Sequence, residues 1–166
     1  MTALDVALMG RQPYIRRFER ESDEDIRIAD EALTHTDVRE YRDKAVTELS
    51  GGEMQRVIIA RALAQQTDVM LLDEPVSNLD IRHAAQILKL VRTLTHEKQV
   101  CGVCVLHDLG LAGWFCDRLV LMQGGRIYAC GSPQDVLTSR AIRDVYGIDA
   151  DIIHKDGHVY VLPEYE

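Results

Sequence analysis

Four groups of residues in this 166-residue chain have types and spacings that could do chemistry. The first is Leu49-Ser50-Gly51-Gly52-Glu53, followed by Gln55-Arg56. Two glycines let a backbone come close to an anion. A helix start behind them presents N–H groups without intrahelical partners at the positive end of the dipole, which suits phosphate. Taken alone, the same residues would also serve as a plain helix cap. The second is Val69-Met70-Leu71-Leu72-Asp73-Glu74, an apolar run that ends in two carboxylates. A buried strand of this kind delivers its acids to the sheet end where ligands bind in open α/β folds. One carboxylate suits a magnesium ion held through water, and the next suits polarising an attacking water. An isolated apolar run leaving the core through two acids is usually only structural. The third is Ser77-Asn78-Leu79-Asp80, in which Asp80 is placed to cap a helix that begins at Ile81. The fourth is His107, at the end of its own apolar run. A neighbouring parallel strand would bring it near Glu74.

The elements that must position these residues follow from periodicity. Ser22 is placed to cap a helix starting at Asp23, whose first turn holds Asp23, Glu24 and Asp25 and whose inner stripe is Ile26, Ala29 and Leu33. Residues 11–20 hold four arginines and read as a solvated loop or helix edge. The glycine-opened helix runs to about Gln66, with Met54, Ile58 and Ala62 on one stripe. Residues 69–72 and 100–106 read as buried strands. Between them residues 81 to about 96 form a long helix with Ile81, Ala84, Leu88, Val91 and Leu94 inward. Residues 118–122 and 126–130 flank Gln123-Gly124-Gly125 as a hairpin. Ser132-Pro133 opens a short helix, another spans about residues 140–146 and stops at Gly147, and Asp156-Gly157 marks a last hairpin between Ile152 and Leu162. Strands alternating with helices predict an α/β class with a mostly parallel sheet.

Bulk properties narrow the function. The net charge of -8 argues against a nucleic-acid partner, because phosphate backbones want clustered Lys and Arg. The longest apolar stretches are too short to cross a bilayer, and Asp5 and Arg11 interrupt any leader-like segment. Cys101 and Cys104 form a C-x-x-C. Residues three apart on a strand face opposite ways and no second C-x-x-C completes a zinc site. With Cys116 and Cys130 they read as reduced thiols of the core.

The joint order of these groups resembles the C-terminal half of an ABC transporter ATPase, over nearly the whole chain. Leu49 to Glu53 is similar to the family signature, Val69 to Glu74 to the Walker B strand, Ser77 to Asp80 to the D-loop, and His107 to the switch histidine. The resemblance implies a partial P-loop NTPase fold with an N-terminal helical subdomain and a small C-terminal β-hairpin. It divides the chain into 1–48, a permease-facing helical subdomain; 49–131, the second half of the ATPase core; and 132–166, the C-terminal helices and hairpin. It implies ATP and Mg2+ as cofactors, with Asp73 supporting the metal and Glu74 acting as general base. His107 would contact the γ-phosphate. Ser50, Gly51, Gly52 and Glu53 would bind the ATP held by a second ATPase subunit in a head-to-tail dimer, with Asp80 at the dimer interface. The other partners implied are membrane permease subunits and, through them, a substrate-binding protein. The place implied is the cytoplasmic face of the cell membrane, as a peripheral protein.

A narrower likeness rests on Met9-Gly10-Arg11, Leu79-Asp80-Ile81-Arg82-His83, His107-Asp108-Leu109, Gly131-Ser132-Pro133 and Asp135-Val136-Leu137. These resemble the ATPases of iron-siderophore, haem and cobalamin importers. Val76, Gly110 and Ala84 depart from the residues common there, Thr, Asn and Gln. An ATPase of this kind needs G-x-x-x-x-G-K-[ST] upstream of the signature to hold the β- and γ-phosphates. No Gly-Lys pair occurs here, and Lys44, Lys89, Lys98 and Lys155 lie outside any such loop. The expectation is a C-terminal portion that does not hold ATP by itself, leaves the apolar surface of the strand at 69–72 uncovered, and is prone to associate. Two other readings share the signature: an ABC-type ATPase outside transport, and a non-catalytic regulatory fragment.

Overall fold

The computed structural model describes residues 1–164 and divides into two compact units, Met1–Val105 and Leu106–Glu166. The first unit contains α1 (Ala3–Leu8), a 3-10 turn over Met9–Tyr14, α2 (Asp23–His35), α3 (Gly51–Ala64), β1 (Val69–Asp73), α4 (Ile81–Lys98) and β2 (Cys101–Val105). Local chemistry sets the starts of its helices. Thr2, Ser22 and Ser50 each accept an N–H from the residue three ahead, and Asp5, Asp25 and Glu53 return the bond, so three capping boxes are closed. Asp80 caps α4, which ends on a left-handed Gln99. The expected helix starts at Asp23 and Ile81 are therefore observed.

Two cores share α3. On one side Val57, Ala60 and Ala64 pack with Ala3, Val6 and Ala7 of α1 and Ile28, Ala29, Ala32 and Leu33 of α2. On the other, Ile59 joins Met70 and Leu72 of β1 and Ile87, Val91 and Leu94 of α4. A helix gripped from two sides has no single apolar stripe, so Met54, Ile58 and Ala62 are only half-buried. Two further stripe residues are corrected. Ile26 and Ile81 stand exposed, and the inward positions are Ile28 and Ile87 instead. Both misplaced residues sit in a first turn, where the chain is still approaching the core.

Arg11 also departs from expectation. It is buried, with Nε donating to Asp25 Oδ1 at 3.0 Å and Nη1 to the Ala64 carbonyl at 2.9 Å and Gln66 Oε1 at 3.1 Å. Its guanidinium lies 3.9 Å from the centre of the Tyr14 ring. One side chain thus joins the first turn of α2 to the last carbonyls of α3. Arg16, Arg17 and Arg20 are exposed as expected.

β1 and β2 pair in parallel, with Val69 opposite Cys101, Leu71 opposite Val103 and Asp73 opposite Val105. The α4 crossover between them makes a βαβ unit. Burial alternates along β1, in contrast to the continuous burial its apolar run predicts. Met70 and Leu72 face α3 and α4. On the other face Leu71 is 73% exposed, and Val69, Val103 and Val105 are exposed beside it. Helices cover only one side of this pair, which explains the difference. Among the described residues the four cysteines form no disulfide; Cys101 and Cys130 are exposed rather than in the core, while Cys104 and Cys116 are half-buried and Cys104 packs against the core of α3, β1 and α4.

The second unit contains α5 (Leu109–Phe115), β3 (Leu119–Gln123), β4 (Arg126–Gly131), α6 (Pro133–Val136), α7 (Ser139–Tyr146), β5 (Ala150–Lys155) and β6 (His158–Pro163). β3 and β4 form an antiparallel hairpin through Gly124-Gly125, and β5 and β6 another through Asp156-Gly157. All four turn residues have positive φ, the geometry that such two-residue turns demand. Ser132 caps α6 and Gly147 ends α7 in the left-handed region. Leu137, Ile142, Ala150 and Val159 form its main core. The Trp114 ring of α5 stacks on His158 of β6 at 3.8 Å between centroids. Among the described residues no helix is long and apolar enough to cross a membrane.

Candidate functional site

Ser50 stands exposed at the start of α3. Its hydroxyl accepts the Glu53 N–H at 3.4 Å, and Glu53 Oε2 accepts the Ser50 N–H at 2.7 Å. The Tyr41 hydroxyl donates to the same carboxylate. The Ser50 N–H, with smaller help from the Ser50 and Tyr41 hydroxyls, holds the Glu53 carboxyl below its usual range. Its hydrogen bond to the Glu53 carboxylate first, and the nearby Glu40 charge second, push the Tyr41 phenol up to about 12. With the cap closed by Ser50 and Glu53, Gly51 and Gly52 occupy the first helical positions, where N–H groups project beyond the helix end.

The start of α4 lies against these glycines. A Cβ on Gly51 would stand 3.6 Å from Leu79 Cδ2, and one on Gly52 would stand 3.2 Å from His83 Cδ2. Asp80 lies between Leu79 and His83 in the chain and binds His83 twice. Its Oδ1 accepts the His83 N–H at 2.9 Å and its Oδ2 meets Nδ1 at 2.8 Å. The His83 N–H first, and the ring second, keep the Asp80 carboxyl below its ordinary range.

Asp73 ends β1, exposed, opposite Val105. Glu74 follows with φ of 46°, in the left-handed region that non-glycine residues rarely enter. Its carbonyl accepts the Ser77 N–H at 3.1 Å and the Ser77 hydroxyl at 3.0 Å. Asn78 is also left-handed. Such strain costs about 1–3 kcal/mol and gathers at functional sites. His107 lies in the second unit, one residue before Asp108, whose carboxylate caps α5 through the Leu111 N–H at 2.8 Å.

The first unit therefore brings Ser50, Gly51, Gly52 and Glu53 together with Asp80, and carries Asp73 and Glu74 at the head of the loop that ends at Asp80. Glu74 and His107 belong to different units. Two neighbours were not among the site residues read from the sequence: His83, which entered only within the Leu79–His83 likeness, and Tyr41. His83 had a signal, since it stands three residues after a capping Asp. Tyr41 had none, because only the fold places it beside Glu53. Among the described residues no group of three or more His, Cys, Asp or Glu is arranged to hold a metal ion. A single exposed carboxylate such as Asp73 matches the hard oxygen donors magnesium prefers, and suits an ion whose other ligands are phosphate and water.

The profile of the ABC transporter family matches residues 4–77. The chain is 42% identical over 164 residues to the hemin import ATP-binding protein HmuV of Rhodococcus jostii, covering 98% of this chain and 55% of that protein. The chain belongs to the ABC transporter ATP-binding family. It is also 43% identical over 145 residues to the cobalamin import ATP-binding protein BtuD of Halobacterium salinarum, covering 87% of this chain and 36% of that one. With an ABC transporter ATP-binding protein of Methanocaldococcus jannaschii the identity is 38% over 163 residues, covering 98% and 63%. Against these three curated relatives the chain spans between 36% and 63% of their length. Among solved structures, an inward-facing metal-chelate type ABC transporter superposes with a TM-score of 0.89 at 25% identity, covering all of this chain and 67% of that one. The ADP conformation of an ATP-binding cassette gives 0.75 at 26% identity, covering 88% and 62%. The α/β fold of the chain is that of the ABC ATPase domain.

Proposed function

We propose that this chain supplies part of the ATP-hydrolysing subunit of an importer for an iron-siderophore, haem or cobalamin. The observation that carries the reading is the exposed Ser50-Gly51-Gly52 helix start, packed against the Asp80 start of α4. A glycine-opened helix end beside a second capped helix end offers donors to an anion approaching from outside the subunit. The named relatives serve hemin and cobalamin import, which favours that class of cargo.

In this reading the Ser50 hydroxyl and the Gly51 and Gly52 N–H groups donate to the γ-phosphate of ATP held by a second, head-to-tail subunit. Glu53 keeps that helix start in shape. Asp80 lies on the interface with the second subunit. Asp73 supports the magnesium ion, which neutralises phosphate charge when bound. Glu74 takes the proton of the attacking water on a carboxylate oxygen, and His107 contacts the γ-phosphate. Residues 1–48 form the helical subdomain that meets the permease, 49–131 the second half of the ATPase core, and 132–166 its C-terminal appendage. The substrate-binding protein is reached only through the permease, and the subunit sits peripherally on the cytoplasmic face of the membrane.

Crosslinking in detergent-solubilised membranes tests this. Residues 1–48 should join to a multi-span permease. Calorimetry should show no saturable MgATP binding by the 166-residue chain below about 1 mM, because it contains no Gly-Lys phosphate loop. Crosslinks to chromosome or translation machinery, or tight MgATP binding by the chain, would overturn the reading.

A further inference from the structure

We propose that His83 is a positioning residue that ties the start of α4 to the glycine start of α3, so that a displacement of Asp80 is passed to Gly51 and Gly52. The inference rests on the reading that Ser50–Glu53 and Asp80 act on a nucleotide shared with a second subunit.

The geometry is a bridge with two ends. At one end His83 holds both oxygens of Asp80, through its backbone N–H at 2.9 Å and Nδ1 at 2.8 Å. One bond holds the backbone of residue 83 and the other holds the ring, so that the ring is directed as well as placed. At the other end the ring edge lies over Gly52. A Cβ there would meet Cδ2 at 3.2 Å, Cγ at 3.7 Å and Nε2 at 3.9 Å. The flat ring therefore lies where a side chain at residue 52 would otherwise begin. Leu79 adds a second contact on the other side of Asp80, over Gly51 at 3.6 Å. The bridge needs each part to be what it is: a residue without Cβ at position 52, a planar ring with a donor on its near nitrogen at 83, and a carboxylate at 80. Capping of α4 needs only Asp80. The ring bond and the contact over Gly52 go beyond what a cap requires.

A positioning role makes a distinctive prediction. The amides of Gly51 and Gly52 should respond to Asp80 through His83, while a role confined to stability would leave no such coupling. Amide chemical shifts of the ¹⁵N-labelled chain, read by NMR at one fixed pH, supply the measurement, since N–H groups at the first helical positions have no intrahelical bond for exchange to report. Asp80→Asn, which keeps a cap oxygen but removes the carboxylate, should move the Gly51 and Gly52 amide signals about fivefold more than those of glycines remote from α4. In a His83→Ala background the same substitution should move them less than about 1.5-fold more than the remote glycines, because sites without a shared partner add independently. His83→Phe, which keeps the ring over Gly52 and loses the donor, should also uncouple the two, and it guards against a fold lost through the missing ring. Equal effects of Asp80→Asn with and without His83, or no effect at the glycines in the unmodified background, would overturn the proposal. No nucleotide enters the experiment, so its failure is separable from failure of the ATPase reading.

Discussion

Gly10 lies against the backbone of Arg61: a Cβ on residue 10 would stand 2.2 Å from the Arg61 carbonyl oxygen and 3.1 Å from the Ala64 Cβ. The 3-10 turn after α1 thus runs directly across α3, the helix that begins with Gly51 and Gly52. That carbonyl is backbone of a helix packed on both sides, so it cannot step aside without moving α3. Gly10→Ala is therefore expected to cost about 2–3 kcal/mol, a drop in melting temperature of about 6–9 °C at this length. Gly51→Ala meets only an ordinary contact with Leu79 at 3.6 Å, and its melting should stay within about 2 °C of the parent. Thermal denaturation followed by circular dichroism compares the two, and equal melting would refute the assignment of close approach to Gly10.

Arg11 should be the costliest polar residue of the first unit to remove. Its guanidinium satisfies Asp25, the Ala64 carbonyl and Gln66 together. Arg11→Ala leaves a buried carboxylate and a helix-end carbonyl without that donor, and melting should fall by about 10 °C. Arg11→Lys should fall less but measurably, since one ammonium cannot reproduce a planar fork. Arg16→Ala, on an exposed position of the same segment, should have little effect. A double-mutant cycle with Asp25→Ala should show strong non-additivity, and additive losses would show that the pair does not act as a unit.

The contrast between Arg11 and Arg16 shows what could be read in advance and what could not. Side-chain type, spacing and order sufficed for the caps at Ser22, Ser50 and Asp80, for the strand at Val69, and for both hairpins, because these depend on residues a few positions apart. The signature and Asp73-Glu74 were legible only as motifs, because a family resemblance joined them in order. Type, spacing and order failed where a residue answers to something distant in the chain. Arg11 looked solvated because its partners Ala64 and Gln66 lie more than fifty positions away. Tyr41 was silent until the fold set it beside Glu53. The runs at β1 and β2 looked buried on both faces because hydropathy counts apolar residues without revealing what covers them.

The Tyr41–Glu53 contact should impose opposite signatures at the two ends of the pH scale. Glu53 is held below its ordinary value of 4.5, chiefly by the Ser50 N–H. Its contribution is present above that value and is lost as pH falls through the lower folded one. Tyr41 is raised from 10.0 to about 12, chiefly by its bond to Glu53. Its contribution is complete below 10 and disappears as pH rises toward about 12. Glu53→Gln should therefore flatten the acid side of the melting profile and Tyr41→Phe the alkaline side. Absorbance of phenolate should show one tyrosine titrating near 12, lost in Tyr41→Phe and moved toward 10 in Glu53→Gln. An unchanged titration in Glu53→Gln would exclude the contact.

The uncovered face of β1 and β2 leads to an expectation about association. Val69, Leu71, Val103 and Val105 are exposed on one side of the parallel pair, with Leu71 at 73% and its neighbour Val103 at 47%. Side chains of this size are worth about 1.5–3 kcal/mol each when fully removed from water, and a flat contiguous set of them favours contact with another apolar surface. The chain should therefore self-associate with rising concentration in sedimentation velocity. Leu71→Lys with Val103→Lys removes two central members of the set and adds like charges to each copy. Association should weaken by about 100-fold, the equivalent of somewhat under 3 kcal/mol. Neither side chain contributes to the core formed by Met70, Leu72 and α4, so melting of the dilute chain should be nearly unchanged. Met70→Lys, which faces that core, is the converse control and should abolish cooperative melting. Concentration-independent monomers in the unsubstituted chain would show that this face drives no association in solution.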